Sequence, residues 1–137
     1  MTPVPNVQFV QGDIKHDSTF EAVSEALDFQ RANVVISDAV PDFMGDRYID
    51  HCRTYELNCA IVDFCQRILQ PGGTLLMKIM RGPNEKELTE NILMKFRELE
   101  KVKPSASRQE SAETYYLCKG HEQSINPEAV SERRYQE

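Results

Sequence analysis

No apolar run in this sequence approaches the roughly 18 residues that a membrane-crossing helix needs. The N-terminal stretch MTPVPNVQFVQGD lacks a basic region followed by an apolar one, so it does not read as a secretory signal. It is not Arg-rich or amphipathic either, and no mitochondrial presequence is visible. The four cysteines, Cys52, Cys59, Cys65 and Cys118, contain no C-x-x-C pair, which argues against zinc or another metal site. Positive charge is also short. Lys and Arg total 16 against 22 Asp and Glu, a net charge of -6. That argues against a free-standing nucleic-acid binder but allows a local basic rim on an acidic body. Internal repeats and low-complexity segments are absent.

What is present suits one globular domain. The 137 residues are 40% hydrophobic and 28% charged, enough for a sizeable core. Three of the cysteines fall in one expected helix and read as small apolar core residues, reduced in an intracellular compartment. VQFVQGD reads as a strand ending at Gly12-Asp13. STFEAVSEAL reads as a helix, with Ser18 and Glu21 at capping-box spacing. Val34, Val35 and Ile36 form an unbroken run that suits a strand buried in a parallel sheet. A longer helix is expected from Ile49 to Leu69, with Leu57, Ile61, Phe64 and Ile68 as its apolar stripe. GTLLMKIMRG follows as a strand. Asn84 and Glu87 then open a helix through Leu88, Ile92 and Phe96. EKVKP and ETYYLCKG leave no room for a helix between them, so they are expected to pair antiparallel. The polar tail from His121 reads as mobile. Strands alternating with helices point to an α/β fold with a largely parallel sheet.

Lys78 stands out, because it interrupts the apolar run of GTLLMKIMRG. Burying an ammonium is costly unless it is paired. Taken alone, these ten residues favour an edge strand whose lysine points to solvent. The wider sequence offers an alternative. Asp38 ends one strand, Lys78 lies toward the end of another, and Glu113 starts an antiparallel third. All three therefore fall at the sheet edge where α/β proteins bind ligands. A lysine between two carboxylates can orient and activate a hydroxyl nucleophile.

QGDI, VVISDAVPD, Asp50-His51, ILQPGGTLLMK and KPSASRQESAETYYL, in this order, resemble the FtsJ family of ribosomal RNA ribose 2'-O-methyltransferases. The resemblance spans about Val7 to Gly120 and implies a Rossmann-like class I methyltransferase sheet with an antiparallel last strand. It implies a domain over residues 1–120 followed by a tail over 121–137. It assigns Asp38, Lys78 and Glu113 to the last three positions of a Lys-Asp-Lys-Glu tetrad. It implies S-adenosyl-L-methionine as methyl donor, contacted by Gly12, Asp13, Ile14 and Asp38. The loop KPSASRQES is rich in donors, and its Lys103, Ser107 and Arg108 are expected to contact phosphates of rRNA or the large ribosomal subunit, with an ordinary solvated connection as the alternative. ILQPGGT and KPSASRQES are most similar to the mitochondrial branch, which modifies a uridine. A mitochondrial location is the expectation, with cytoplasm or nucleus as alternatives.

Two departures matter. The family's first tetrad lysine, its glycine-rich donor loop and the acidic residue for the donor's ribose are not found in this sequence. The resemblance therefore implies a sheet truncated at its N-terminus, weak donor binding by the chain alone, and a possible second chain completing the sheet. The family's SDMAPN also reads SDAVPD here, with Ala39, Val40 and Asp42, which places a negative charge where an amide is expected. The alternative function is a catalytically inactive RNA- or ribosome-binding remnant of the family. An unrelated flavodoxin-like domain is the third reading.

Overall fold

The computed structural model describes residues 5–39, 41, 44–80, 85–103, 113–122 and 134–136. Along the chain come α1 (Asp17–Ala26), β1 (Ala32–Ser37), α2 (Arg47–Ile68) and β2 (Leu69–Met80). These are followed by α3 (Glu85–Leu93), β3 (Phe96–Val102), β4 (Glu113–His121) and β5 (Arg134–Gln136). The strands form one mixed sheet in the order β1-β2-β4-β3-β5. β1 and β2 are parallel. β4 runs antiparallel between β2 and β3, as the short link before it requires.

The core lies on one face of the sheet. Leu75, Met77 and Ile79 of β2 alternate into it, as do Thr114, Tyr116 and Cys118 of β4. Helix α2 covers them with Ile61, Val62 and Cys65, and α3 with Leu88, Ile92 and Leu93. The expected stripe on α2 is rotated. Ile61 and Ile68 are buried, but Phe64 packs edge-on against Phe20 of α1, with ring centroids 6.3 Å apart. Arg67 stacks on the same Phe20 ring at 3.8 Å and pairs with Asp17 at 2.9 Å, clamping α1 to α2. Burial pushes the Cys65 thiol up to about 12 and raises Cys118 as well, so both stay protonated and act as apolar filler. Among the described residues, no helix is long and apolar enough to cross a membrane.

Several expected elements come out differently. VQFVQGD forms no strand among the described residues, and Val7 and Phe9 are 54% and 67% exposed. Its alternation supplies a strand's side-chain period, but a strand also needs a neighbour's N–H and C=O groups, and no described strand runs beside it. Ser18 does not cap α1. The N-cap is His16, without a side-chain bond, and Asp13 shapes the entry by accepting from Lys15 N. Phe96 begins β3 rather than ending α3, because Met94 and Lys95 close the helix onto Glu90 and Ile92. QPGG does not precede β2 but bulges within it. Ala32 pairs with Leu69 and Val34 with Thr74, so the β1 register jumps across the four residues. The tail contributes β5, which pairs parallel with β3 at Glu98 to Glu100. Asn84 of the expected capping box lies outside the described residues.

His121, expected in the tail, ends β4 and is fully buried. Its Nδ1 lies 3.3 Å from the Gln70 carbonyl, and its ring packs on Phe96. Burial lowers its pKa, an effect that Arg31 reinforces and that Gln70 and Glu122 oppose. The folded chain thus keeps this imidazole neutral where the unfolded chain, titrating near the usual 6.5, takes up a proton. Unfolding then binds protons, so stability rises with pH across that window and falls as the medium is acidified through it. Urea midpoints measured from pH 7.5 downward should decline through about 6.5, and His121→Phe should flatten that part of the profile. An unchanged slope in the variant would assign the decline to other groups.

Candidate functional site

Parallel pairing builds the site. Ser37 pairs with Met77, so the next residues of the two strands, Asp38 and Lys78, come level at the carboxyl end of the sheet. There Lys78 Nζ meets Asp38 Oδ1 at 2.9 Å. Lys78 is therefore not an edge-strand lysine in solvent: β2 lies between β1 and β4, and its neighbour on the other side is Tyr115. The pair is lopsided. The lysine side chain is 16% exposed and the aspartate 70%. The ammonium is shielded and oriented, while the carboxylate keeps an open side to a ligand. With so exposed a partner the pair adds at most about 1 kcal/mol to stability.

Glu113 opens β4 opposite Met80, two residues past Lys78. Its side chain lies outside the described residues. Lys103 follows β3 and is exposed, and Ser107 and Arg108 lie outside the described residues.

The expected donor residues serve local structure. Gly12 approaches α1 so closely that an added Cβ would sit 2.4 Å from Thr19 Oγ1. Its lack of a side chain answers helix packing. Asp13 is exposed, with Oδ1 accepting from Lys15 N and its carbonyl from His16 N. Ile14 packs against the core margin. These bonds tie Asp13 to the start of α1. Among the described residues, no glycine-lined turn at the sheet's carboxyl end forms a cradle for a nucleoside.

Two further features had little signal in the sequence. Asp50 accepts from Met44 N at 2.7 Å and Gly45 N at 3.2 Å, fixing the turn that carries the chain from β1 into α2. Gly45 has φ of +87°, which favours glycine at that turn. Asp46 caps α2 by accepting from Ile49 N. The second feature lies on the core face, one register row below Lys78. Tyr116 is wholly buried and donates to Glu85 Oε1 at 3.0 Å, and Lys101 Nζ meets the same oxygen at 2.5 Å. The three come from β4, α3 and β3, so only the sheet register could have placed them together.

A charged pair at the carboxyl ends of parallel strands, on a sheet with an antiparallel insertion, defines an α/β domain of the kind that binds ligands at that edge. The chain belongs to the FtsJ-like methyltransferase family, whose model matches residues 1–121. It is 38% identical over 117 residues to a ribosomal RNA large subunit methyltransferase E of Methanothrix thermoacetophila, covering 85% of this chain and 46% of that protein. It is 37% identical over 111 residues to the protein of the same name from Methanosphaera stadtmanae, covering 81% of this chain and 53% of that protein. A ribosomal RNA methyltransferase structure from Plasmodium falciparum superposes with a TM-score of 0.75 at 28% identity, covering 88% of this chain and 67% of that one. The chain thus spans about half the length of the curated relatives it matches.

Proposed function

We propose that this chain carries the proton-handling half of an S-adenosylmethionine-dependent rRNA ribose 2'-O-methyltransferase. The observation that carries the proposal is the Lys78–Asp38 pair, held level by the β1–β2 register in a chain of this family. S-adenosylmethionine would supply a sulfonium-activated methyl. The chain's own part is at the hydroxyl. In its neutral form Lys78, positioned by Asp38, accepts a hydrogen bond from a ribose 2'-hydroxyl brought to the strand ends and takes up its proton, becoming the ammonium that Asp38 pairs. Glu113 is assigned as the second carboxylate. Lys103, Ser107 and Arg108 are assigned to rRNA phosphates. The uridine target and a mitochondrial location belong to the same proposal and rest on the resemblance of ILQPGGT and KPSASRQES.

Donor affinity tests the division of labour. One hydrogen bond from Asp13 nets about 0.5–1.5 kcal/mol, whereas micromolar binding needs about 8 kcal/mol. Calorimetric titration of the 137-residue chain with S-adenosylmethionine should therefore show no binding tighter than millimolar. The chain joined to the part of the Methanosphaera relative that it does not match should bind in the micromolar range. Micromolar binding by the chain alone would place the donor on residues other than Gly12, Asp13, Ile14 and Asp38. No binding by the joined protein would count against the methyltransferase assignment.

A further inference from the structure

A polar side chain with no exposed surface needs a partner, and His121 finds its partner on a distant part of the chain. Its Nδ1 lies 3.3 Å from the Gln70 carbonyl. A carbonyl only accepts, so Nδ1 carries the proton and Nε2 the lone pair. Nε2 is buried and has no partner among the described residues. The bond to Gln70 is therefore what the imidazole contributes. The ring itself is well anchored. His121 pairs with Phe96 across β3 and β4, packs on its ring at 5.4 Å, and is followed by a bond from Glu122 N to Lys95 O.

Gln70 opens the bulge at which the β1–β2 register jumps. Ala32 pairs with Leu69 and Val34 with Thr74, so residues 70–73 of β2 face only Asn33 of β1. The bulge is tightly folded. A Cβ added at Gly73 would stand 2.9 Å from Gln70 O and 3.2 Å from Asn33 O. The carbonyl that His121 holds thus lies against Gly73, and Gly73 lies against β1. Before the bulge, Arg31 Nη1 donates to Leu69 O at 3.0 Å and holds the start of β1. After it, pairing runs unbroken from Val34–Thr74 to Ser37–Met77, and Asp38 meets Lys78 one residue later. The shape of the bulge therefore decides how far β1 is advanced along β2. A slip of one residue would move Asp38 by about 3.3 Å and turn its side chain to the other face of the sheet.

We propose that His121 is a positioning residue for the Lys78–Asp38 pair: by donating from Nδ1 to Gln70 O it holds the bulge that sets the β1 register, and so brings Asp38 level with Lys78. This deepens the proposed reading of that pair and adds a residue at the far end of the same strands. His121 touches no reacting atom and acts through Gln70, Gly73 and β1.

The test is nuclear magnetic resonance on the whole chain, without donor or RNA, so its failure is separate from failure of the methyltransferase reading. An Asn amide nitrogen stands as many bonds from the backbone as Nδ1, and a Gln amide nitrogen as many as Nε2. His121→Asn should keep the cross-strand contacts from Val34–Thr74 to Ser37–Met77 and leave the Lys78 side-chain resonances in place. His121→Gln should lose or displace those contacts and move the Lys78 resonances to where Asp38→Asn puts them, the reference for a broken pair. Gly73→Ala, which crowds the same carbonyl with His121 intact, should move them in the same way. A purely structural role predicts that both His121 variants lose stability in urea while the Lys78 resonances stay put, and that result would overturn the proposal. Imidazole nitrogen shifts in the unaltered chain should place the proton on Nδ1. A proton on Nε2 alone would overturn the proposal whatever the variants show.

Discussion

Lys78→Ala, made in the chain joined to the unmatched part of the Methanosphaera relative, is expected to lower the rate of methyl transfer to rRNA by about 10²–10⁴-fold, the span of a lost acid–base group. The reason lies in the geometry. Lys78 is the shielded member of a pair whose other member is open, so removing it leaves Asp38 without the cation that orients it. Lys78→Arg separates charge from proton transfer. A guanidinium keeps the cation but stays protonated at any working pH. If the pair takes up the hydroxyl proton, arginine should be nearly as inactive as alanine. If arginine retains most of the rate, the lysine acts only as a fixed charge. Donor affinity should change little in either variant, which single-turnover kinetics and calorimetry together would show.

The second large effect concerns stability. Tyr116→Ala is expected to cost about 3–5 kcal/mol, typical of truncating a buried aromatic. Tyr116 heads the largest fully buried side chains, and its hydroxyl ties Glu85 at the start of α3 to the sheet. Against a usual total of about 5–15 kcal/mol, that loss leaves the chain near its unfolding threshold. Tyr116→Phe keeps the ring and removes the hydrogen bond, and should cost about 1 kcal/mol. The Lys101–Glu85 pair remains in that variant. Urea midpoints at constant m-value check both. Equal losses in the two variants would shift the weight from the ring to the Glu85 contact.

The site was legible in the sequence where local signals coincide with topology. An apolar strand broken by Lys78 and a strand ending at Asp38 were enough to expect the two at one edge. The parallel register then set them level. Signals that depend on a partner were not legible. VQFVQGD alternates as a strand does, yet pairing is decided by which strand stands beside it, and among the described residues none does. Phe96 continues the spacing of Leu88 and Ile92, so periodicity carried the helix too far, with no glycine or proline to stop it. The cluster of Tyr116, Glu85 and Lys101 joins residues 31 and 15 positions apart through the sheet.

Among the described residues β1 is an edge strand whose Val34 and Ile36 are 56% and 72% exposed, where their unbroken apolar run suggested a strand buried in a parallel sheet. Unpaired N–H and C=O groups beside apolar side chains form a surface that favours strand addition.

The most direct measurement is the position of the transferred methyl. Large-subunit rRNA is incubated with methyl-labelled S-adenosylmethionine and the joined protein, then hydrolysed in alkali. A 2'-O-methyl group removes the hydroxyl that attacks the adjoining phosphate, so that linkage survives. The account predicts label in alkali-stable dinucleotides, lost in Lys78→Ala and in Asp38→Asn. Label on the bases, or equal transfer by the Lys78→Ala protein, would contradict it.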